Sequence, residues 1–235
     1  MHNFTIRLAN LNIHVTCLHE YSKNLCKEYI IDTDNIDFNI VMNQELIDEE
    51  RNIDDGYKYD DPYLESIALY RLIGNVLPNY DGLIAHGACI EYRNKCYMFV
   101  APSGTGKTTH IKLWLKHLND VKVINGDKPI IRLINNEPIV FGTPYNGKEH
   151  MGCNCFSKLD SIIIVNRSDI DSILEVNIND YIQDIINKIY IPNNKVLEVF
   201  DLVNVLFKNI KVYVLNCTMN DSAFEVAYSA LTKLV

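Results

Sequence analysis

The chain has 235 residues, 48% of them hydrophobic, and a formal net charge of −8 at pH 7. This composition predicts a folded protein with a sizeable core and excludes a disordered or fibrous chain. The acidic balance, without a visible cluster of lysine or arginine, argues against a nucleic-acid partner.

The cysteines and the apolar runs indicate the compartment. Seven cysteines without paired Cys-x-x-Cys spacing predict reduced thiols rather than a disulfide framework or a structural zinc site. Cys153 and Cys155 with His150 leave a metal site open as the less favoured alternative. No stretch has the pattern of a signal peptide or the ~20 apolar residues of a membrane span, so we expect a cytoplasmic protein without a membrane partner.

Residues 1–60 predict a small β-rich subdomain. Two alternating apolar runs change phase at Ala9 and Asn10, which predicts either a pair of strands or one bulged strand. The polar stretch 43–61 predicts a surface loop or a frayed helix. Its acidic residues are expected to face solvent rather than a metal, and they are Asp54, Asp55, Asp60 and Asp61.

Residues 61–235 are expected to form the functional domain. Asp61 and Pro62 predict the cap and first turn of a helix that ends before Pro78. The segment LIAHGACIEY, residues 83–92, predicts one strand. A turn at residues 93–94 joins it to a second strand, KCYMFVA, so that the two strands form an antiparallel hairpin.

The run APSGTGKTT, residues 101–109, follows this hairpin and matches a phosphate-binding loop, with Ala101 at the place of the first glycine. A helix with an apolar stripe follows, so the loop lies between a strand and a helix, as the motif requires. Glycines let the backbone turn so that N–H groups point at phosphate oxygens. Lys107 is expected to reach the phosphates, and the Thr108 hydroxyl to bind Mg²⁺. The predicted nucleotide-binding residues are Ser103, Gly104, Thr105, Gly106, Lys107, Thr108 and Thr109.

Beyond this loop, the apolar patterns predict an α/β fold with a mixed sheet and C-terminal helices. Strands are expected at 121–126, 130–134, 139–142, 161–166 and 211–217. Apolar residues at helical spacing predict helices over 178–189, 196–203 and 223–234. We expect their apolar faces to pack inward rather than to hold a cofactor or a partner.

Phosphoryl transfer also needs a carboxylate and cations beside the phosphates. Asp127 could hold Mg²⁺ or accept the hydroxyl proton as general base, the alternative being a turn-forming aspartate. His86 could donate to a phosphate or orient the base, the alternative being a core histidine. Lys128 and Arg132 could neutralise charge on the transferred group, or could be surface cations.

The stretches HGACIEYRNKCYMFVAPSGTGKTTH and VINGDKPIIR together resemble the HPr kinase/phosphorylase family. That fold is similar to the nucleotide half of phosphoenolpyruvate carboxykinase, whose loop has the same SGTGKTT sequence. The resemblance covers about residues 80–135 and implies a P-loop kinase fold of this type, with ATP and Mg²⁺ as cofactors. It also implies that His86 contacts the phosphates, that Lys107 and Thr108 bind nucleotide and Mg²⁺, and that Asp127 is the base.

The chain departs from the family at Gly126, which replaces the first aspartate of an acidic pair, and the later phosphorylase signature is not recognisable. The segment GTPYNGKE, residues 142–149, is similar to small members of the family, some of which resemble kinases of ribosomally made peptide precursors. This likeness puts Lys148 and Glu149 on the substrate side, the alternative being a polar hairpin tip.

The function expected from the sequence is an Mg-ATP-dependent serine-type kinase. Its acceptor would be a hydroxyl of a peptide, a protein or a small molecule, and the chain would act alone or as a homo-oligomer. The alternative is a nucleotide-binding regulatory module without transfer chemistry, which the glycine at position 126 favours.

Overall fold

The computed structural model describes residues 1–53, 57–102 and 104–232, which form a mixed α/β fold with two β-sheets. The predicted nucleotide ligand Ser103, the predicted acidic residues Asp54 and Asp55, and the end of the last predicted helix lie outside the described residues. Within the described ranges, no helix combines the length and the apolar character that crossing a membrane requires.

The N-terminal sheet has the strand order β3-β1-β2-β4. Ala9 and Asn10 both have positive φ, as in the tight turns that join antiparallel strands. They connect β1 and β2 in register, which confirms the prediction of two strands over that of one bulged strand. The four strands are β1 (His2–Leu8), β2 (Leu11–Cys17), β3 (Ile30–Ile31) and β4 (Phe38–Val41).

Three helices accompany this sheet, namely α1 (Glu20–Leu25), α2 (Gln44–Arg51) and α3 (Asp61–Val76). Helix α2 falls in the stretch predicted as a loop or frayed helix, and Asn43 caps it by accepting the amide of Leu46. The cap of α3 is Asp60 rather than the predicted Asp61. The backbone of Asp60 is extended and its carboxylate accepts the Tyr63 amide, whereas Asp61 is already helical.

One apolar core joins the N-terminal sheet to the rest of the chain. It contains Ile6 of β1, Leu69 of α3, and Ile130 and Phe141 from beyond residue 61. Because the two parts share these buried contacts, the described residues show no break in packing at residue 60. The division into domains at that point stays a prediction.

The larger sheet has nine strands in the order β5-β9-β10-β11-β7-β6-β8, with β13 beside β11 and β12 beside β13. The β11 strand runs parallel to β7 and β13, and the other pairs are antiparallel, so the predicted mixed sheet is confirmed. The strands are β5 (Gly82–Ile84), β6 (Ala88–Tyr92), β7 (Lys95–Val100), β8 (Lys122–Asn125), β9 (Ile130–Ile134), β10 (Glu137–Phe141), β11 (Phe156–Arg167), β12 (Ser172–Val176) and β13 (Lys211–Cys217).

The predicted hairpin β6–β7 is confirmed, with Arg93 and Asn94 in its turn. The single strand predicted over 83–92 is wrong, because β5 pairs with β9 whereas β6 pairs with β7 and β8. These partners lie at opposite ends of the strand order, so the chain crosses between them at His86 and Gly87. The strand predicted from Ser161 begins earlier, since its first residues pair with β10.

Four further helices cover the larger sheet, namely α4 (Lys107–His117), α5 (Ile182–Ile186), α6 (Val196–Lys208) and α7 (Asp221–Leu231). Helices α4 and α7 pack on one face through Trp114 and Phe224, whereas Leu206 of α6 belongs to the core of the other. The single helix predicted over 178–189 is wrong. Only a 3-10 turn and the short α5 form there, and Ile189 bridges to Ala85 instead.

Candidate active site

The loop between β7 and α4 has the backbone geometry that its glycines predict. Gly104 has φ +74° and Gly106 has φ +123°, and a Cβ at either position would meet open space, so glycine is needed for the conformation and not for room. Gly106 is the N-cap residue of α4, and among the described residues no side-chain hydrogen bond caps this end of the helix. The amides of the first helical turn have no acceptor within the helix, which suits them to bind an anion.

The loop lines a cavity of about 880 Å³, together with Lys107, Thr108 and Thr109 of α4. The Lys107 ammonium donates to the carbonyl oxygen of Ala101 at 3.1 Å. Burial lowers the pKa of Lys107, and the ammonium groups of Lys188 and Lys128 lower it further, whereas Asp127 opposes the shift. An anion in the cavity would favour the charged form of this lysine.

Arg167, at the end of β11, holds the outside of the loop, a role that the sequence analysis missed. Its guanidinium donates to the carbonyl oxygens of Gly104 at 2.5 Å and Thr105 at 3.3 Å. In a trans peptide the C=O and the following N–H point in opposite directions. With the Thr105 carbonyl turned toward Arg167, the N–H of Gly106 therefore points away from it.

His86 and Asp127 lie on two chain segments that cross side by side. The Ala85 amide donates to the Pro129 carbonyl at 3.1 Å, and the Gly87 amide donates to the Asp127 carbonyl at 2.9 Å. As a result His86 Nε2 lies 3.2 Å from Asp127 Oδ1. The structure thus brings the two predicted catalytic residues together, in the cavity that the loop lines.

Asn125 fixes the turn that carries Asp127. Its buried side-chain oxygen accepts the amides of Asp127 and Lys128, both at 2.8 Å, while its NH₂ group donates to the backbone and hydroxyl oxygens of Thr143. The Thr143 hydroxyl in turn donates to the Lys128 carbonyl at 2.8 Å. Sequence reasoning did not single out Asn125 or Thr143, although an asparagine before Gly126 is a turn signal.

The Asp127 carboxylate is ionised and doubly hydrogen-bonded. Its Oδ2 accepts from the Lys128 ammonium, and its Oδ1 faces His86. Burial by itself raises the pKa of Asp127, but the hydrogen bonds from His86 and Lys128 outweigh burial and lower it to about 2. A carboxylate of this kind can orient a hydroxyl or bind a cation at neutral pH.

Close packing explains why glycine stands at position 126. A Cβ there would lie 2.8 Å from the Asn146 carbonyl oxygen and 2.9 Å from that of Met151. The neighbouring Gly147 has φ +81°, and its own Cβ would lie 3.0 Å from the Cβ of Asp127. The segment 144–151 therefore packs directly over the 126–127 turn, and this leaves no space for the aspartate found in the family that the sequence resembles.

The residues predicted for the substrate side divide into two groups. Lys128, Lys148 and Glu149 line the cavity, and Glu149 pairs with Lys112 at 2.9 Å. Arg132 is not brought to the cavity, which corrects its predicted place. Its guanidinium donates to the carbonyl oxygens of Tyr80 and Ala9, because its position on β9 faces the N-terminal sheet.

Thr108 and Asp127, the predicted Mg²⁺ ligands, both line the cavity. Across the described ranges, no group of three or more His, Cys, Asp or Glu side chains could hold a metal. Mg²⁺ bound with a nucleotide usually takes only one or two carboxylates besides phosphates and water, so this pair of residues fits such an ion.

The prediction of reduced thiols is wrong for two of the cysteines. Cys153 and Cys155 form a disulfide, and their Cα atoms are 5.3 Å apart, which is within the usual range for a bridge. The Cys155 amide donates to the Cys153 carbonyl at 2.9 Å, so the chain turns at Asn154 and brings the two cysteines together, which the sequence reasoning did not consider. The remaining cysteines at positions 17, 26, 89, 96 and 217 are free and buried.

Comparison of the whole chain with models of known protein families gave no match, and comparison with curated protein sequences gave no significant match either. The chemistry of the cavity therefore has to be inferred from its own residues. These are a glycine turn at a helix N-terminus, a lysine and a threonine beside it, and a histidine–aspartate pair.

Proposed function

We propose that this protein is an Mg-ATP-dependent kinase that transfers the γ-phosphoryl group to a serine-type hydroxyl of a peptide or protein. The observation that carries the proposal is the contact between His86 and Asp127, 3.2 Å apart, in the same cavity as Lys107 and Thr108. A glycine turn alone would support binding of phosphate. An ionised carboxylate beside it supports transfer, because the acceptor hydroxyl must lose a proton.

Separate residues would bind the phosphates, hold Mg²⁺ and accept the hydroxyl proton. The first-turn amides of α4 and the Lys107 ammonium would hold the phosphates. Thr108 and Asp127 would hold Mg²⁺, which when bound neutralises charge on the phosphates. Asp127 would also orient the acceptor hydroxyl and take its proton as the new oxygen–phosphorus bond forms and the bond to the departing ADP breaks.

The low pKa of Asp127, about 2, makes it a weak base for a hydroxyl proton. Phosphoryl transfer passes through a loose transition state in most analyses, so positioning matters more than base strength. His86 would serve that positioning, because its Nε2 lies 3.2 Å from Oδ1, where an Nε2–H group would donate to the carboxylate and hold it in place. The partly exposed His86 ring also stands where it could contact a transferred phosphate.

We further propose that the fold is that of a P-loop kinase of the HPr kinase type. It is supported by the order of hairpin, glycine loop and helix, and by the β7 strand that pairs with both β6 and β11. The sequence resemblance over about residues 80–135 points the same way.

A nucleotide-binding regulatory module is the second candidate. It is favoured by the two partners of Asp127, since His86 and Lys128 already engage both carboxylate oxygens. Under this alternative, the contacts of Asp127 with His86 and Lys128 would stabilise the turn at residues 126–127. The cavity would then bind ATP without transferring phosphate.

The two candidates are separated by following radiolabel from γ-labelled ATP with Mg²⁺ and serine-containing peptides. If the wild type transfers label to a peptide and the Asp127→Asn variant does not, the kinase is supported. Tight ATP binding by calorimetry, without transfer and with background hydrolysis equal in the wild type and the variant, supports the module. ATP binding that survives unchanged in Lys107→Ala contradicts both.

A further inference from the structure

The cavity has a second wall, opposite in character to the phosphate loop. Four tyrosines form it, and we call them the tyrosine wall: Tyr21, Tyr63, Tyr70 and Tyr145. Helix α1 supplies the first, α3 the next two, and the loop after β10 the last. Leu25 and Ile67 line the cavity with them, so this wall is largely apolar.

The inner half of the wall is rigid. The rings of Tyr70 and Tyr145 stack with their centroids 3.9 Å apart. The Tyr70 hydroxyl donates to the Lys128 carbonyl at 2.7 Å, and the Tyr145 hydroxyl donates to the Ser66 carbonyl at 2.8 Å. Burial raises the pKa of both phenols, so they remain donors in these bonds. Tyr70 is only 5% exposed and backs the half-buried Tyr145, so with both hydroxyls engaged it is mainly the Tyr145 ring that can meet a ligand.

This wall adjoins the catalytic carboxylate. Besides accepting from Tyr70, Lys128 donates its amide to the Tyr145 carbonyl at 3.1 Å, and Lys128 is the residue directly after Asp127. The glycine loop and Lys107 line the same cavity as these tyrosines. A hydroxyl that reaches Asp127 would therefore carry the rest of its molecule along the tyrosine wall.

The outer half of the wall opens to solvent. Tyr21 is 44% exposed and Tyr63 is 39% exposed. Large rings exposed at the mouth of a cavity that also holds convergent polar groups are typical of ligand sites. An open mouth also lets an acceptor hydroxyl be presented on a longer chain.

A buried carboxylate holds the two helices of the wall together. Glu65 of α3 is fully buried, and it accepts the amides of Leu18 and His19 and the hydroxyl of Ser22 at the start of α1. Burying a carboxylate is costly unless such donors satisfy it. The Tyr21 helix is therefore fixed to the helix that carries Tyr63 and Tyr70.

We propose that the tyrosine wall binds an aromatic or aliphatic side chain next to the acceptor residue. The substrate would then be a peptide in which the phosphorylated hydroxyl residue has an apolar neighbour. This inference rests on the proposed kinase function and adds the class of acceptor to it.

The test uses two fluorescent pentapeptides with a central serine, one flanked by phenylalanine and the other by asparagine. Binding is measured by fluorescence anisotropy, with and without Mg²⁺ and a non-hydrolysable ATP analogue. We expect the phenylalanine peptide to bind about tenfold more tightly, the difference that stacking and burial of a ring can supply. Tyr21→Ala and Tyr63→Ala should lose most of this preference while they keep their affinity for the analogue.

Phe200→Ala is the matched control, because Phe200 is also 39% exposed on a helix but does not line the cavity. It should keep the preference. Equal binding of the two peptides, binding of neither, or a preference that both tyrosine variants retain would overturn the inference. A failure of the analogue to bind would count against the kinase instead, since the peptide preference is also read without nucleotide.

Discussion

His86 Nε2 lies 3.2 Å from Asp127 Oδ1, and backbone hydrogen bonds from Ala85 and Gly87 to the segment of Asp127 hold the two residues at this distance. The pair is thus fixed by the main chain and not only by the contact between the side chains. Asp127 can therefore be changed while its turn, which Asn125 also holds, stays in place.

Asp127→Asn should abolish transfer and spare nucleotide binding. Asparagine keeps the shape but cannot accept a proton, so we expect the transfer rate to fall by about 10²–10⁴-fold. The affinity for an ATP analogue without Mg²⁺, measured by calorimetry, should change less. Asp201→Asn, on the exposed face of α6, makes the same chemical change and should leave both quantities unaltered. Equal transfer by the two variants would remove Asp127 from the mechanism.

The low pKa of Asp127 should appear in the pH dependence of stability. Because the pKa falls from 3.8 to about 2 on folding, the carboxylate stabilises the fold above the unfolded value and loses this effect as the pH drops toward 2. The contribution is on the order of 2 kcal/mol at pH 7, with about half lost by pH 3. Urea unfolding of the wild type and Asp127→Asn should therefore give a gap that narrows between pH 7 and pH 3. A gap that stays constant would mean that the pKa is not lowered.

Gly126→Asp should damage the protein, although it restores the acidic pair of the family that the sequence resembles. A Cβ would lie within 3.0 Å of two backbone carbonyl oxygens, those of Asn146 and Met151. Because both oxygens belong to the main chain of the segment 144–151, they can move only if that segment shifts. We expect a loss of about 1–3 kcal/mol, or several degrees in thermal unfolding followed by circular dichroism. Asn119→Asp adds the same charge at an exposed position and should be neutral. Greater activity without loss of stability would contradict the packing described here.

Arg167→Ala should weaken nucleotide binding. Its two hydrogen bonds to carbonyl oxygens orient the glycine loop. Loss of both should weaken the free energy of binding by roughly 1–2 kcal/mol, which raises the dissociation constant for an ATP analogue about tenfold. Arg93→Ala, in the exposed turn of the β6–β7 hairpin, is the control and should bind normally. If both variants bind equally well, Arg167 does not shape the loop.

Local signals allowed part of the fold and site to be predicted. The turn at Arg93 and Asn94, the glycine loop and the helix after it each depend on neighbouring residues, and all three appear in the structure. The division of 83–92 into β5 and β6 depends on β9 and β8, which come much later in the chain. An apolar run cannot show which of two partners each half will meet.

The same limit applies to side chains whose roles depend on distant contacts. The sequence predicts Arg132 on the substrate side as a cation that could neutralise charge on the transferred group, but strand pairing places its guanidinium against the Ala9 carbonyl. Arg167 supports the glycine loop and Thr143 supports the Asp127 turn from distant segments of the chain, and the tyrosine wall also comes from separate segments, so only folding brings these residues to the site. The helical spacing over 178–189 was misleading, since Ile189 bridges to Ala85 instead of continuing a helix.

The crossing of the 85–87 and 127–129 segments ties the chemistry to the integrity of the sheet. The amides of Ala85 and Gly87 donate across this junction, and it connects strands from both ends of the sheet order. Their protons should exchange with deuterium only when the whole domain opens, more slowly than those of the exposed β12 strand. Inactivation by heat and global unfolding should then coincide, with no partly melted state in which the histidine and the aspartate have separated.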